Sequence, residues 1–458
     1  MTTLVLLGLA SLALGSVTIV DPSNYADLAA DTADNALLAN YWTDNGGPQE
    51  LIYNITGPYY FSATDGVALA HQVLSVDAND TSVVVITEDS AVNLSYVTVV
   101  KEGYATWLNQ ASFFGVNAAV NVANASTAYI DHSNITVHDG AANIYAYGTG
   151  SAVYVSDVDL YSSGPVSHGL YAAGNGTIYA NNIRHYSGGN RASSFSGDNP
   201  GGYLYVTDAV AHTAGIGSAT FYTLGKSYGT DVVGRTDQAP SVFSDGAQSS
   251  VFVRVDLTAG LLAGTVLFCS ADRQSGAELS FTDSRLTTLG SDMAALWFGN
   301  VIADVQLVAT EINTTSGILV IANSSQVTQA FDYFAGSEEN SAIQPAEVTV
   351  LVEESDLRGD LVAYNGSSIA WTLASYSSWT GTAYSATGKG YLGVYLDETS
   401  TWTLTDNVEL INFTNGDSTH SNIISGGYNI SYDVTADANA YLDGTTVSLS
   451  GGGILFPY

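Results

Sequence analysis

The chain has 458 residues, with 10 Lys and Arg against 44 Asp and Glu, a formal net charge of −34. That balance argues against nucleic acid as a partner, because binding a phosphate backbone needs clustered Lys and Arg; it also disfavours anionic membranes and polyanionic sugars. A single cysteine, Cys269, rules out an intramolecular disulfide, so stability has to come from a core and hydrogen-bond ladders, which a chain of this length can supply.

Residues 1–15 have the pattern of a signal peptide. Leu4 to Leu14 is almost wholly apolar, and Ala13 and Gly15 supply small residues for a cleavage site, although no basic residue precedes the apolar run. The run is too short to cross a bilayer, and no later segment is long enough. Gly451 to Tyr458 lacks the apolar tail of a GPI signal. The expected location is outside the cell, secreted or in a cell wall. Eleven Asn-x-Ser/Thr sequons agree with that route: Asn54, Asn79, Asn93, Asn124, Asn134, Asn175, Asn313, Asn323, Asn365, Asn412 and Asn429.

Residues 16–60 form the next unit, an N-terminal cap. Between Ser23 and Tyr41 the apolar residues Tyr25, Leu28, Ala29, Ala33, Leu37 and Leu38 follow helical spacing, with Ser23 or Asp21 as the N-cap. This short helix is expected to plug the N-terminal mouth of a solenoid.

Residues 61–458 are repetitive. Short apolar-alternating runs recur between Gly, Asn and Asp turns. Ala128-Tyr-Ile130, Val153-Tyr-Val155, Ile178-Tyr-Ala180 and Leu204-Tyr-Val206 succeed one another at spacings of 25, 25 and 26 residues. A second element, Asn143-Ile-Tyr-Ala146 and Gly169-Leu-Tyr-Ala172, repeats in phase with them. A period near 25 built from short strands fits one coil of a right-handed, single-stranded parallel β-helix, an all-β solenoid. Residues one period apart then stack in columns. Asp157, Asn182 and Asp208 form one column, and Asn134, Asp159 and Arg184 another.

Two blocks resemble known β-helix proteins. Residues 92–225 resemble secreted bacterial and fungal β-helix proteins, through Leu94-Ser-Tyr-Val-Thr-Val-Val100, Phe114-Gly-Val-Asn-Ala-Ala119, Ser167-His-Gly-Leu-Tyr-Ala172, Gly176-Thr-Ile-Tyr-Ala-Asn-Asn-Ile183 and Asp198-Asn-Pro-Gly-Gly202. Residues 350–411 resemble the passenger β-helix of autotransporter adhesins of the pertactin kind, through Leu357-Arg-Gly-Asp-Leu361, Ala370-Trp-Thr-Leu373, Ser378-Trp-Thr-Gly381 and Trp402-Thr-Leu-Thr-Asp-Asn-Val-Glu-Leu410. The resemblance implies an adhesin-like surface role. It identifies no ligand.

Two constellations are candidates for function. The first is the tyrosine column Tyr129, Tyr154, Tyr179 and Tyr205. Facing outward it would bind sugars; facing inward it would be core stacking, and the apolar neighbours leave both open. The second is the density of ionisable residues from Asp159 to Asp198: His168, Arg184, His185 and Arg191 as ligand-binding candidates, with Asp159, Arg184, Arg191 and Asp198 as the groups a polysaccharide lyase or glycoside hydrolase would use. The bland alternative for that cluster is a polar outer face with Arg–Asp pairs between coils.

No cofactor is expected. Asp157 and Asp159 are the acids that would hold Ca²⁺ if an enzyme needed it. His132, His138 and His212 share no column with carboxylates, so no metal site is expected, and His71 and His420 are expected at the surface. Arg358-Gly-Asp360 sits inside a coil motif and is assigned to the fold, and Cys269 to the core. The functional expectation is a secreted, adhesin-like protein that binds a polysaccharide or cell-surface glycan or forms part of the extracellular surface. The alternative is a carbohydrate-active enzyme.

Overall fold

The computed structural model describes residues 54–458, apart from 106–107, 139–141, 199 and 326–341. The signal peptide and the capping helix expected between Ser23 and Tyr41 lie outside the described residues.

The described chain is an all-β parallel solenoid of about 15 turns, with about 25 residues per turn. The strand Ala152–Ser162 shows how one coil is made. Val153, Val155, Val158 and Leu160 are buried, while Tyr154 between them is exposed. Thr127–Asp131 and Asn134–Val137 pair with it from the coil before, and Thr177–Ser187 from the coil after, all parallel. No coil can bury its apolar face or satisfy its backbone alone, so stacking supplies both.

The strand turns a corner at Asp157, whose φ is 56°. The same left-handed corner recurs at His71, Tyr96, His132, Asn182, Asp208, Asp231, Arg254, Asp283, Ala309 and Glu354. Asn and Asp tolerate this conformation because their short side chains bond locally. Asn182 Nδ2 donates to Asp157 Oδ1 of the preceding coil at 2.6 Å. Serines just beyond the corner accept stray backbone donors: Val97 N bonds Ser133 Oγ at 3.1 Å, and Val255 N bonds Ser284 Oγ at 3.1 Å.

A second leg of each coil forms a 13-stranded parallel sheet running from Tyr59–Ser62 to Ala383–Ser385. Both faces of this sheet are covered over most of its length. Leu170 and Ala172 enter the main core, while Tyr171 and Ala173, which alternate with them, join a separate cluster with Tyr145 and Ala118. The short helix Leu108–Phe114 lies over this outer face, and Tyr145 Oη donates to Ser112 O at 2.7 Å. Close packing fixes small residues here: a Cβ on Gly176 would sit 2.5 Å from Ala146 O, and one on Gly202 would sit 2.5 Å from Ala172 O.

Toward the C-terminal side, Trp371, Trp379 and Trp402 fill the core, with Trp379 and Trp402 stacked at 4.8 Å. The chain then forms a 3₁₀ turn, Asp437–Leu442, and the pair Val447–Ser448 and Ile454–Pro457, which is antiparallel where other strand pairs are parallel. Buried Asn439 ties this turn to the last coils, accepting from Phe413 N at 2.7 Å and donating to Ile411 O at 2.8 Å. Among the described residues, no helix is long and apolar enough to cross a membrane.

Candidate functional site

The tyrosine column faces outward. Tyr129, Tyr154 and Tyr179 are 47, 44 and 41% exposed. Their inward neighbours Ala128, Ile130, Val153, Val155, Ile178 and Ala180 line the core. Pairing in register places Tyr129, Tyr154, Tyr179, Tyr205 and a fifth ring, Tyr228, directly above one another. Successive ring centroids lie 5.2, 5.0, 5.0 and 4.8 Å apart, with planes within 12° of parallel.

This geometry decides which part of each ring a ligand meets. At such separations nothing fits between two rings, so their faces are occupied by each other. The stripe presents ring edges and phenol hydroxyls, one set per coil. Only the terminal rings keep an outer face free of another tyrosine. Asn93, a sequon asparagine, is the register neighbour beyond Tyr129, and Val251 the one beyond Tyr228. Alongside runs a second outward row, Asp131, Ser156, Asn181 and Thr207, and the two rows line one groove. The row is hydroxyl and amide except at Asp131, whose carboxylate accepts from Ser95 Oγ at 2.6 Å. That bond, first, and His132 hold the Asp131 carboxyl below its ordinary value.

The residues between Asp159 and Asp198 do not form a common site. Arg184 lies on the outside and donates through Nε to Asp159 Oδ1, its register neighbour. His168, His185, Arg191 and Asp198 are buried. The sequence pattern puts all of them on a polar outer face or in a groove; only Arg184 and Asp159 are placed that way. The physical reasons differ: His168 and Asp198 lie on the covered Tyr171 side of the 13-stranded sheet, whereas His185 takes an inward position of its strand, in register with Leu160 and Ala211 of the main core. His185 bridges two serines, with Nδ1 2.8 Å from Ser194 Oγ and Nε2 3.1 Å from Ser162 Oγ. His168 Nδ1 accepts from Ser193 N at 3.1 Å and lies 2.8 Å from Ser196 Oγ. Tyr171 Oη donates to Asp198 Oδ2 at 2.8 Å. Burial drives the His168 imidazole down to about 3, with the neighbouring His185 adding to the effect, and burial drives His185 down to about 3 as well. Both are neutral spacers in a buried network, out of reach of a polymer. The lyase or hydrolase constellation of Asp159, Arg184, Arg191 and Asp198 is split between the surface and the interior.

The acids that would serve Ca²⁺ are already engaged, Asp157 by Asn182 and Asp159 by Arg184. Among the described residues no group of three or more His, Cys, Asp or Glu is placed to hold a metal ion. His71 is exposed and stacks on Tyr96 at 5.0 Å. His420, expected at the surface, is buried instead and lies 3.1 Å from Asn415 Nδ2. Cys269 is buried, and burial raises its thiol to about 11. Asp360 of the Arg-Gly-Asp tripeptide accepts from Thr382 N of the next coil at 3.0 Å.

Eight sequon asparagines are exposed: Asn54, Asn79, Asn93, Asn124, Asn134, Asn175, Asn313 and Asn365. Asn323, Asn412 and Asn429 are half-buried, and Asn429 Oδ1 accepts from Ile454 N at 3.0 Å.

No family model, no curated protein and no solved structure matches the chain. The likeness to adhesin passengers and secreted β-helix proteins therefore extends to the parallel solenoid and goes no further.

Proposed function

We propose that this chain is an extracellular, adhesin-like scaffold that binds a neutral glycan along its tyrosine stripe. The observation that carries this reading is the five-ring column itself. A soluble solenoid gains nothing for its core from aromatic rings on its outer face, and a regular exposed aromatic row marks a contact surface. Tyr combines a rigid apolar body with a polar tip, which suits partners that carry both CH groups and hydroxyls. Lys226 offers a cation at one end of the column, two residues before the last ring, and the whole chain is strongly acidic. A neutral ligand fits that electrostatic setting better than a uronate polymer.

The test is an array of polysaccharides and cell-surface glycans probed with purified protein, read for retention and for newly released chain ends. Retention without new ends is the expected result. Release of unsaturated or reducing ends would favour the alternative, a carbohydrate-active enzyme.

A further inference from the structure

Resting on that reading, we infer that the ligand is a straight, unbranched, equatorially linked polysaccharide that lies along the solenoid axis and is recognised through the edges of the tyrosines, not their faces. Face-on packing of a sugar against an aromatic ring needs an open face, and Tyr154, Tyr179 and Tyr205 have a ring on each side at 4.8 to 5.2 Å. What remains is a line of phenol hydroxyls. Beside it stand Ser156, Asn181 and Thr207, one polar side chain per coil.

Such a surface is periodic in one direction only. It offers one donor–acceptor pair per coil, at the spacing of neighbouring strands, roughly 4.8 Å. A ligand that uses every coil must run parallel to the axis and repeat its hydrogen-bonding groups at about that interval. Equatorially linked pyranose chains are extended ribbons that advance by close to one strand spacing per sugar. Axially linked chains curl into helices and drift off a straight row after two or three contacts. An unbranched chain is assigned because the groove is lined only by the two rows and the residues between them, with no further side chain among the described residues placed to receive a branch.

The row also has a length. Summed ring to ring, Tyr129 to Tyr228 spans about 20 Å. It is bounded by Asn93 at one end, where an N-linked sugar would block extension, and by Val251 at the other. The stripe therefore holds four or five consecutive sugars.

The test uses the full secreted chain and titrates cello-, manno- and chito-oligosaccharides of graded length, with malto-oligosaccharides as the axially linked comparison. The expected result is tighter binding of at least one extended series, with affinity rising with length and levelling off once the chain covers the stripe. The double variant Tyr154→Phe/Tyr179→Phe separates edge from face. Phe keeps the stack and the fold, which thermal unfolding checks, but removes two hydroxyls, so affinity should fall roughly ten-fold. Unchanged affinity in that variant would overturn edge recognition. Equal or better binding of malto-oligosaccharides, or no dependence on length, would overturn axial alignment. If other glycans are retained but no extended series binds, the assigned class is wrong while the underlying reading of a glycan-binding protein stands. If no glycan is retained at all, the underlying reading falls with it.

Discussion

Tyr205 and Tyr228 stack with their planes 2° apart and their centroids 4.8 Å apart, although only 23 residues separate them. The coil between them is shorter than the coils before it, yet the register Tyr205↔Tyr228 holds because hydrogen bonding, not residue count, aligns the coils. Tyr228 is thus the fifth ring of the stripe. Tyr228→Ala should leave the other four rings stacked and weaken binding only for oligosaccharides long enough to reach it. Titration with graded lengths checks this; an equal loss for short chains would contradict it.

Stability should fall on acidification. In the unfolded chain His168 and His185 take up a proton near pH 6.5, but in the folded chain only near pH 3. The unfolded chain binds more protons throughout that window, so their contribution is complete above pH 6.5 and is lost as the pH drops toward 3. Asp245 acts in the opposite sense. Burial raises its carboxyl to about 6, against the hydrogen bonds from Ser270, so it adds stability at acid pH that is lost as the pH rises from 3.8 through 6. Two imidazoles outweigh one carboxyl. Urea midpoints at pH 7, 5 and 4 should decline, and His168→Gln/His185→Gln should flatten that decline.

Lys101 is a fully buried lysine in the strand Thr98–Glu102. Its Nζ donates to Ala78 O at 3.1 Å, to Gly103 O at 2.5 Å and to Glu102 O. Burial lowers its pKa to about 8, against the pull of Asp77, Asp80 and Glu102. From pH 8 up to its unfolded value of 10.5 the unfolded chain holds the extra proton, so this group makes the fold more stable as pH rises through that range. Lys101→Met should cost about 1–3 kcal/mol at pH 7, because it strands carbonyls that the ammonium satisfied. It should also remove the gain between pH 8 and about 9.5, measured as the difference from the unmodified chain in parallel denaturant titrations.

Trp402 packs its ring on Trp379 and donates Nε1–H to Gly381 O at 3.0 Å. Trp402→Ala should cost about 3–5 kcal/mol through the cavity it leaves. A solenoid transmits such damage mainly to adjacent coils. Glycan retention at the distant tyrosine stripe should therefore survive in the variant at temperatures where hydrogen exchange still protects the strands from Thr127 to Gln238.

Much of the solenoid is legible in the sequence, and some of its surface is not. The period near 25, the column Asp157, Asn182 and Asp208, and the pairing of Asp159 with Arg184 all come from spacing, because stacking forces residues one coil apart to meet. The orientation of a tyrosine does not come so simply. Val153-Tyr-Val155 and Gly169-Leu-Tyr-Ala172 are similar strings, yet Tyr154 is exposed and Tyr171 is buried. In both, the tyrosine points away from the main core; what differs is the cover, supplied over one sheet by distant segments such as Leu108–Phe114. The same cover hides His168 and Asp198, which in sequence look like part of a polar face, while His185 points inward between Leu160 and Ala211. Local pattern sets which side of a strand a residue takes, but only long-range packing decides whether that side meets water.

The most direct test of glycan binding at the stripe compares two variants on whichever polysaccharide retains the protein best. Tyr154→Ala/Tyr179→Ala opens the middle of the stripe, while Tyr376→Ala removes a single aromatic ring that is 82% exposed and away from it. Loss of retention in the first and full retention in the second is the predicted result. Full retention in the first, with thermal unfolding unchanged, would contradict the proposal and place the binding surface elsewhere on the solenoid.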